Sequence, residues 1–345
     1  MSDLKINNIT DRTGSCGPVI AGVSTVSSTG SFIVPVGPTE YRGGRGRAIN
    51  AGGNSYTSTM EFISLPSTGN GTDFGDLNQA LNRPHGCSSS TRGVYAGGQK
   101  TPGVQIGSIQ YTTMSSSGGV ADFGDLTADV SSGDAASNNT RGIISGGYDA
   151  PINIATISFV EIASTGDATD FGVGLYNRGQ QTVSSTTRYV SGGGYGGPVP
   201  DTSSYIYLNV IDYLTFSTRG NPVDYGDLTA SAYGASGGTS SPTRGIFSNL
   251  SVEPGTKTNT INYITIATTG NAIDFGDMTS ARAGTGAGNS IRGVFMGGGT
   301  NPADAASNTI DYITIATTGN AQDFGDLITA VKYAASLCDS HGGLG

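Results

Sequence analysis

Short runs of β-branched and aromatic residues recur along the chain and predict β-strands. In the run TINYITI, Ile261 and Tyr263 fall on one face of a strand. Ile264 and Ile266 fall on the other face, because successive side chains of a strand point in opposite directions. A sheet with one wet face would alternate apolar and polar residues. The pattern therefore predicts sheets that are covered on both sides.

The same arrangement of strands recurs six times, with a spacing of about 50 residues. Each unit has an Arg that opens one strand, a loop of variable length, a two-faced strand, a Gly-rich turn, and a strand carrying Asp, an aromatic residue and Gly. This motif begins at Asp73, Asp122, Asp170, Asp224, Asp274 and Asp323. Units of this length, packed face to face, predict an all-β propeller with one four-stranded blade per unit.

The order of strands within the units predicts how the ring closes. Small residues between each motif and the next Arg, as in AGTGAGN, suit a crowded innermost strand. The first unit begins at Arg47 without such a strand, whereas the run Ala330–Cys338 resembles an innermost strand with no blade after it. We therefore expect six blades, with the C-terminal strand completing blade one and leaving no exposed sheet edge.

Composition and charge limit the classes of function. Of the 345 residues 56 are Gly, and only 12% are charged. A net charge of −9 argues against nucleic-acid binding, and the cluster Arg42, Arg45 and Arg47 is interpreted as part of a linker. The opening residues lack an apolar segment, and the run Phe32–Val36 is too short to span a bilayer, so we expect neither a leader sequence nor membrane insertion.

Few residues in the chain are suited to catalysis or metal binding. The two histidines, His85 and His341, and the three cysteines are too sparse for a metal site or a disulfide framework, so we expect no metal and no cofactor. Cys87 and Cys338 are placed at matching points of two repeats and interpreted as small buried residues. The second Asp of the motif, as in Asp76, is either an ion ligand, a charge partner of the repeat's Arg, or an acceptor in a turn; its repetition favours the structural roles.

Loops that differ between units are the better candidates for function, because loops on a rigid scaffold commonly carry binding sites. The loop after the Arg-initiated strand opens on the same face as the connection between blades. It is longest in the fourth unit. Tyr and Asp side chains there suit stacking on a sugar ring and bonding to its hydroxyls, although the tyrosines could instead cover blade edges. The candidate ligand-binding residues are Tyr148, Asp149, Asn153, Tyr195, Asp201, Tyr205 and Tyr207.

The repeat resembles kelch-like propellers in its Gly-Gly pair, late aromatic residue and Arg, although the chain has no Trp. Through its opening SDLKINNIT and its recurring TIDYITIATTGNA, the chain is also similar to virion structural and tail-fibre proteins of marine tailed bacteriophages of the cyanophage type. This resemblance implies a non-enzymatic virion protein, assembled in the host cytoplasm, whose propeller binds a host-surface glycan. A purely architectural capsid, head-fibre or tail component is the alternative. A glycan-processing enzyme is disfavoured by the even spread of acidic residues.

Residues 1–44 are predicted to form an extended arm and residues 45–345 the propeller. The arm has too few apolar residues to fold alone, so we expect a partner or an oligomer to order it. The resemblance implies that the arm docks on other virion proteins and that the chain forms a homo-oligomer, with a trimer as one candidate state. The proposed anchoring residues are Leu4, Ile6, Ile9, Val19, Ile20, Phe32 and Ile33.

Overall fold

The computed structural model describes residues 46–201, 205–233, 237–248, 251–252 and 255–340. Strands and turns make up these residues, and none of them belongs to a helix that could cross a membrane. The strands form six antiparallel sheets arranged as the blades of a ring. The six-bladed β-propeller predicted from the repeat is therefore confirmed. The arm and its proposed anchoring residues lie outside the described residues, so both stay predictions.

Each of the first three blades has four strands, which follow one another from the centre of the ring outwards. Blade one contains Ala335–Cys338, Arg47–Ala51, Thr57–Ser64 and Thr72–Leu81. Blade two contains His85–Ser88, Arg92–Ala96, Ser108–Thr113 and Ala121–Asp125. Blade three contains Asp134–Ser137, Arg141–Ser145, Thr156–Glu161 and Thr169–Val173.

The other three blades repeat this order. Blade four contains Tyr176–Ser184, Arg188–Pro198, Val210–Thr215 and Val223–Asp227, and Ile206–Tyr207 pairs with its second strand. Blade five contains Gly238–Ser240, Arg244–Phe247, Thr260–Thr265 and Ile273–Asp277. Blade six contains Arg282–Gly288, Arg292–Thr300, Ala305–Thr314 and Gln322–Val331. Small hairpins in the variable loops pair Gln99–Lys100 with Val104–Gln105, Tyr148–Asp149 with Ile152–Asn153, and Ser251–Val252 with Thr256–Lys257.

The C-terminal strand closes the ring, as the order of strands in the repeat predicts. Ala335–Cys338 pairs antiparallel with Arg47–Ala51, which pairs with Thr57–Ser64 on its other side. Innermost strands of neighbouring blades contact one another around the whole ring, and that of blade six contacts that of blade one. The first and last described strands of the chain are thus joined in one sheet.

Both faces of a blade are packed, as the two-faced strand predicts. In blade five, Ile261 belongs to the apolar cluster shared with blade six, whereas Ile264 and Ile266 belong to the cluster shared with blade four. Six such clusters join neighbouring blades, and the aromatic residue of the motif is buried in each. These residues are Phe74, Phe123, Phe171, Tyr225, Phe275 and Phe324.

The glycine of the motif allows the next blade to approach. The backbone N–H of Gly118, in the turn of blade two, donates to the carbonyl oxygen of Phe74 at 2.7 Å. A Cβ atom at Gly75 would lie only 2.3 Å from the Gly118 oxygen, closer than any side chain permits. Equivalent bonds occur at every blade junction, for example from Gly270 to Tyr225 at 2.8 Å. Asp-aromatic-Gly is therefore an inter-blade contact.

The placement of two cysteines at matching points of the repeat was wrong by one residue. Cys87 lies opposite Val94 in blade two. The residue at that position in blade one is Leu337, which lies opposite Ile49. Cys87 and Cys338 are both buried, as predicted, and their thiols are free. Because side chains alternate along a strand, Cys87 packs toward blade three and Cys338 toward blade six.

Candidate functional site

The innermost strands enclose a narrow central channel. Its cavity of about 70 Å³ is lined mainly by Gly, Ala, Ser and Thr residues, including Ala136, Ser184 and Gly286. Since one water molecule takes up about 30 Å³ of liquid, this space suits a few waters and is too small for a sugar. A cavity of about 310 Å³ beside Arg47 and Phe62 is lined by the Arg and aromatic pair found in every blade, which makes it part of the repeated scaffold.

A pocket of about 240 Å³ lies on the face formed by the variable loops and the blade connections. The loops of blades two to four contribute Gln99, Tyr148, Asn153, Tyr195 and Tyr205. Arg83, Ser132 and Tyr233 come from blade connections, and Gly179 comes from the innermost strand of blade four. Pockets for drug-sized ligands measure roughly 300–1,000 Å³. This one is slightly smaller and suits a group of monosaccharide size.

Tyr195 lies at the centre of an aromatic cluster in this pocket. Its ring centroid is 5.6 Å from that of Tyr205, 5.3 Å from that of Tyr207 and 6.1 Å from that of Tyr233. These separations are typical of interacting rings, so the tyrosines hold one another in place. The side chain of Asn153 also donates a hydrogen bond to the backbone oxygen of Tyr195 at 2.7 Å, which ties the loop of blade three to that of blade four.

The structure brings together four of the residues selected from the sequence. Tyr148, Asn153, Tyr195 and Tyr205 line the pocket. Tyr207 contacts the ring of Tyr195 but does not line the pocket. Asp149 and Asp201 lie in the same two loops but outside the lining. The backbone oxygen of Asp201 accepts a hydrogen bond from Asn177 at 2.9 Å. Ligand binding by these residues stays a prediction.

Arg83 is the main pocket residue that sequence reasoning missed. It adopts a left-handed backbone conformation with φ of 56°, and its N–H donates to the backbone oxygen of Tyr333 at 2.9 Å. The guanidinium carbon lies 4.5 Å from the centroid of the Tyr333 ring, and Nη1 donates to Ser132 Oγ at 3.2 Å. Tyr333 and Ser132 thereby fix this cation at the edge of the pocket. The signal in the sequence was an Arg at a repeat position where the next two units have Ser132 and Gly179.

Tyr333 is held in turn by Asp304. Its hydroxyl donates to Asp304 Oδ2 at 2.6 Å, and the same carboxylate contacts Lys332 at 2.6 Å and Lys257 at 2.9 Å. Burial by itself raises the pKa of Asp304, but the hydrogen bonds from these three side chains outweigh burial and lower that pKa to about 2. Burial and the bond to Asp304 raise the pKa of Tyr333 to about 12. Asp304 is thus an ionised carboxylate whose charge is already balanced by two lysines.

The second Asp of the motif does not pair with the repeat's Arg, so that interpretation was wrong. In blade four, the guanidinium carbon of Arg188 lies 4.4 Å from the Tyr213 ring centroid, and its Nη1 donates to the backbone oxygen of Ile266 at 2.9 Å. The backbone N–H of Asp227 instead donates to Asn271 Oδ1, in the turn of the next blade, at 3.1 Å. Among the described residues, no cluster of three His, Cys, Asp or Glu side chains could hold a metal ion.

The pocket combines aromatic rings, amides and one cation, and its described lining contains no carboxylate. Such a set can stack on a ligand ring and bond to hydroxyls, but it offers no acid–base pair. No protein-family model matches the chain, and no curated protein matches it at a significant level.

Proposed function

We propose that this chain is a non-enzymatic bacteriophage virion protein, a tail fibre or fibre-like adhesin, whose propeller binds glycan on the host surface. The observation that carries the binding role is the pocket in which Tyr195 and Tyr205 form part of a four-tyrosine cluster. Sugar rings present apolar C–H faces between hydroxyls. Tyrosine suits them because its ring stacks on such a face while its hydroxyl can bond at the edge.

The exposure of the pocket tyrosines supports a role in ligand recognition over a role in packing alone. Tyr195 and Tyr205 are each 37% exposed, although they contact one another. Their loops differ from those of other blades, whereas the scaffold around them is repeated. A ligand would therefore meet rings that are already ordered, which lowers the entropic cost of binding.

The lining supports binding over hydrolysis. Most glycosidases use two carboxyl groups, about 5–9.5 Å apart, on either side of the bond that is cleaved. No Asp or Glu side chain occurs in the described lining of this pocket. We therefore favour an adhesin over a glycan-processing enzyme.

The virion assignment rests on the sequence resemblance, and the arm would dock the protein on other particle proteins. Deleting residues 1–44 is expected to give a folded propeller that no longer joins particles. Normal incorporation of the truncated chain would contradict the anchoring role. For the binding role, the full chain is expected to retain specific glycans on a glycan array. An array with no retained glycan, together with no binding to host cells, would contradict it.

An architectural virion component is the second candidate, and it is favoured by apolar side chains on the outer rim. Val223 and Ile273 occupy equivalent positions in the outermost strands of blades four and five, and they are 56% and 57% exposed. Contact with another subunit would cover them. Sedimentation of the purified chain tests this candidate: a homo-oligomer that dissociates on Ile273→Asp, combined with no glycan binding, would favour architecture.

A further inference from the structure

Three arginines lie at the start of the innermost strands of alternate blades or just before them. Arg83 precedes the innermost strand of blade two, Arg178 lies near the start of that of blade four, and Arg282 begins that of blade six. A guanidinium withdrawn from water requires compensation by hydrogen bonds and a counter-charge. Cys87, Val183 and Ala287 stand at the same place in the sheets of these three blades. Aligned on them, Arg178 and Arg282 correspond to Asn82 of blade two, and Arg83 comes one residue later.

Arg178 and Arg282 each have a carboxylate from their own blade. Arg178 Nη2 lies 2.9 Å from Asp212 Oδ2, and both side chains are almost fully buried. Arg282 Nη1 lies 2.8 Å from Asp311 Oδ2, and both side chains are fully buried. Neither pair lines the tyrosine pocket. These two cations are thus neutralised within the protein.

Blade two lacks the corresponding acid. Asp212 stands opposite Ser191 in the sheet of blade four, and Asp311 stands at the same register position in blade six. In blade two this position, opposite Tyr95, is occupied by the neutral side chain of Gln110. Blade two thus has Asn82 and Gln110 where blades four and six have an Arg and an Asp, so neither member of this ion pair is present there.

Arg83 is an additional cation in blade two, and it has no carboxylate within 4.0 Å among the described residues. Of its five side-chain N–H groups, one is bonded to Ser132 Oγ, and Nε is buried without an acceptor. Asp304, which contacts Tyr333 beside it, is already paired with Lys257 and Lys332. The pocket therefore contains one fixed cation whose charge the described residues leave unbalanced.

We propose that the ligand supplies the missing counter-charge: the pocket binds an acidic sugar, placing its carboxylate or sulfate ester against the Arg83 guanidinium while its ring stacks on the tyrosines. This inference rests on the proposed glycan-binding function and specifies the class of glycan. Arg suits the role, because its rigid fork of donors matches the paired oxygens of an oxyanion. The contacts with Tyr333 and Ser132 orient the guanidinium before any ligand arrives.

The test compares acidic polysaccharides with their neutral counterparts. The full chain is titrated with polygalacturonate and its carboxyl-reduced form, and with a sulfated galactan and its desulfated form. We expect at least one acidic member to bind about tenfold or more tightly than its neutral counterpart, since a hydrogen bond to a charged group is typically worth that factor. The preference is expected to weaken as salt is raised. The acidic member that binds identifies the group as carboxylate or sulfate.

Variants of Arg83 locate the effect. Arg83→Gln is expected to abolish the acidic preference, and Arg83→Lys is expected to retain part of it, because the charge stays while the fork is lost. If Arg83→Gln fails to fold, the comparison of acidic with neutral polysaccharides on the wild-type chain, and its salt dependence, still test whether the pocket prefers an acidic sugar. Equal binding of both members of each pair, or binding of the neutral members alone, would overturn this inference and leave glycan binding intact. Binding of no glycan in these titrations or on the array would overturn both.

Discussion

The guanidinium of Arg47 in blade one donates a hydrogen bond from Nη1 to the backbone oxygen of Met114 in blade two, at 2.8 Å. The same guanidinium lies over the ring of Phe62 in its own blade, with its carbon 4.5 Å from the ring centroid. This pair of contacts recurs at all six blade junctions. The six arginines are Arg47, Arg92, Arg141, Arg188, Arg244 and Arg292.

Removing one of these arginines should weaken the propeller. In Arg188→Ala, the stacking on Tyr213 and the hydrogen bond to Ile266 are both lost. We expect the free energy of unfolding to fall by roughly 2–4 kcal/mol, measured by urea denaturation. Lys100→Ala, which removes an exposed cation, is the control and should change it by less than about 0.5 kcal/mol. Equal effects of both variants would contradict the inter-blade role of the arginine.

Substitution of two glycines that have the same backbone conformation distinguishes steric crowding from backbone strain. Gly226 of the motif and Gly220 of the preceding turn both have φ of 148°. A Cβ at Gly226 would lie 2.5 Å from the Gly270 oxygen, whereas one at Gly220 would meet nothing within 4 Å. We expect Gly226→Ala to lower the melting temperature clearly more than Gly220→Ala, since only the former pushes neighbouring blades apart. Similar losses of melting temperature in both variants would show that the motif glycine is needed only for its backbone conformation.

Closure of the ring by the C-terminal strand can be tested by truncation. Removing residues 335–345 leaves the edge of Arg47–Ala51 without its partner Ala335–Cys338 and uncovers the apolar cluster that contains Leu337. Unpaired strand edges promote association between chains. We expect the truncated chain to lose cooperative unfolding and to aggregate in size-exclusion chromatography. A monodisperse truncated chain with unchanged melting would show that the strand is dispensable.

Buried His85 should make stability depend on pH. Its Nε2 accepts a hydrogen bond from the backbone N–H of Gly133 at 2.9 Å, and burial lowers its pKa from 6.5 to about 4. Below pH 6.5 the unfolded chain therefore binds a proton that the folded chain rejects. Stability due to this group is complete above pH 6.5 and is lost as the pH falls toward 4, by roughly 1.4 kcal/mol per pH unit.

The variant His85→Gln removes the titrating group and keeps a side-chain acceptor. We expect the difference in free energy of unfolding between wild type and variant to change across pH 4–6.5 and to be constant between pH 7 and 8. Urea denaturation at several pH values measures this difference. A difference that is flat over the whole range would show that His85 is not protonated on unfolding.

The fold was predictable because its determinants repeat. The number of blades follows from the motif aromatic residues, such as Phe74, and from the strands with two apolar faces. The closure of the ring follows from the incomplete units at the two ends of the repeat. The roles of the motif's Gly75 and of the repeat's Arg47 were not predictable in the same way. Both act between blades, on backbone atoms of Gly118 and Met114 that no pattern within one unit identifies.

The pocket was predictable only in part. Tyr148 and Tyr195 stand in loops that differ in length, which marks them as departures from the repeat. Arg83 and Tyr333 are far apart in sequence, and they meet only because the C-terminal strand returns to blade one and places Tyr333 beside the next connection. That Arg83 lacks an acid could be recognised only in the structure, where the nearby Asp304 is paired with Lys257 and Lys332.

Glycan binding by wild type, Tyr195→Ala and Ile291→Ala on one array tests the central claim most directly. Tyr195 is the hub of the pocket cluster, whereas Ile291, 66% exposed, lies in the turn between the innermost and second strands of blade six. We predict that wild type and Ile291→Ala retain the same acidic glycans and that Tyr195→Ala binds them about tenfold more weakly or worse. No glycan retained by wild type, or unchanged binding by Tyr195→Ala, would contradict the proposal that this propeller is a glycan adhesin.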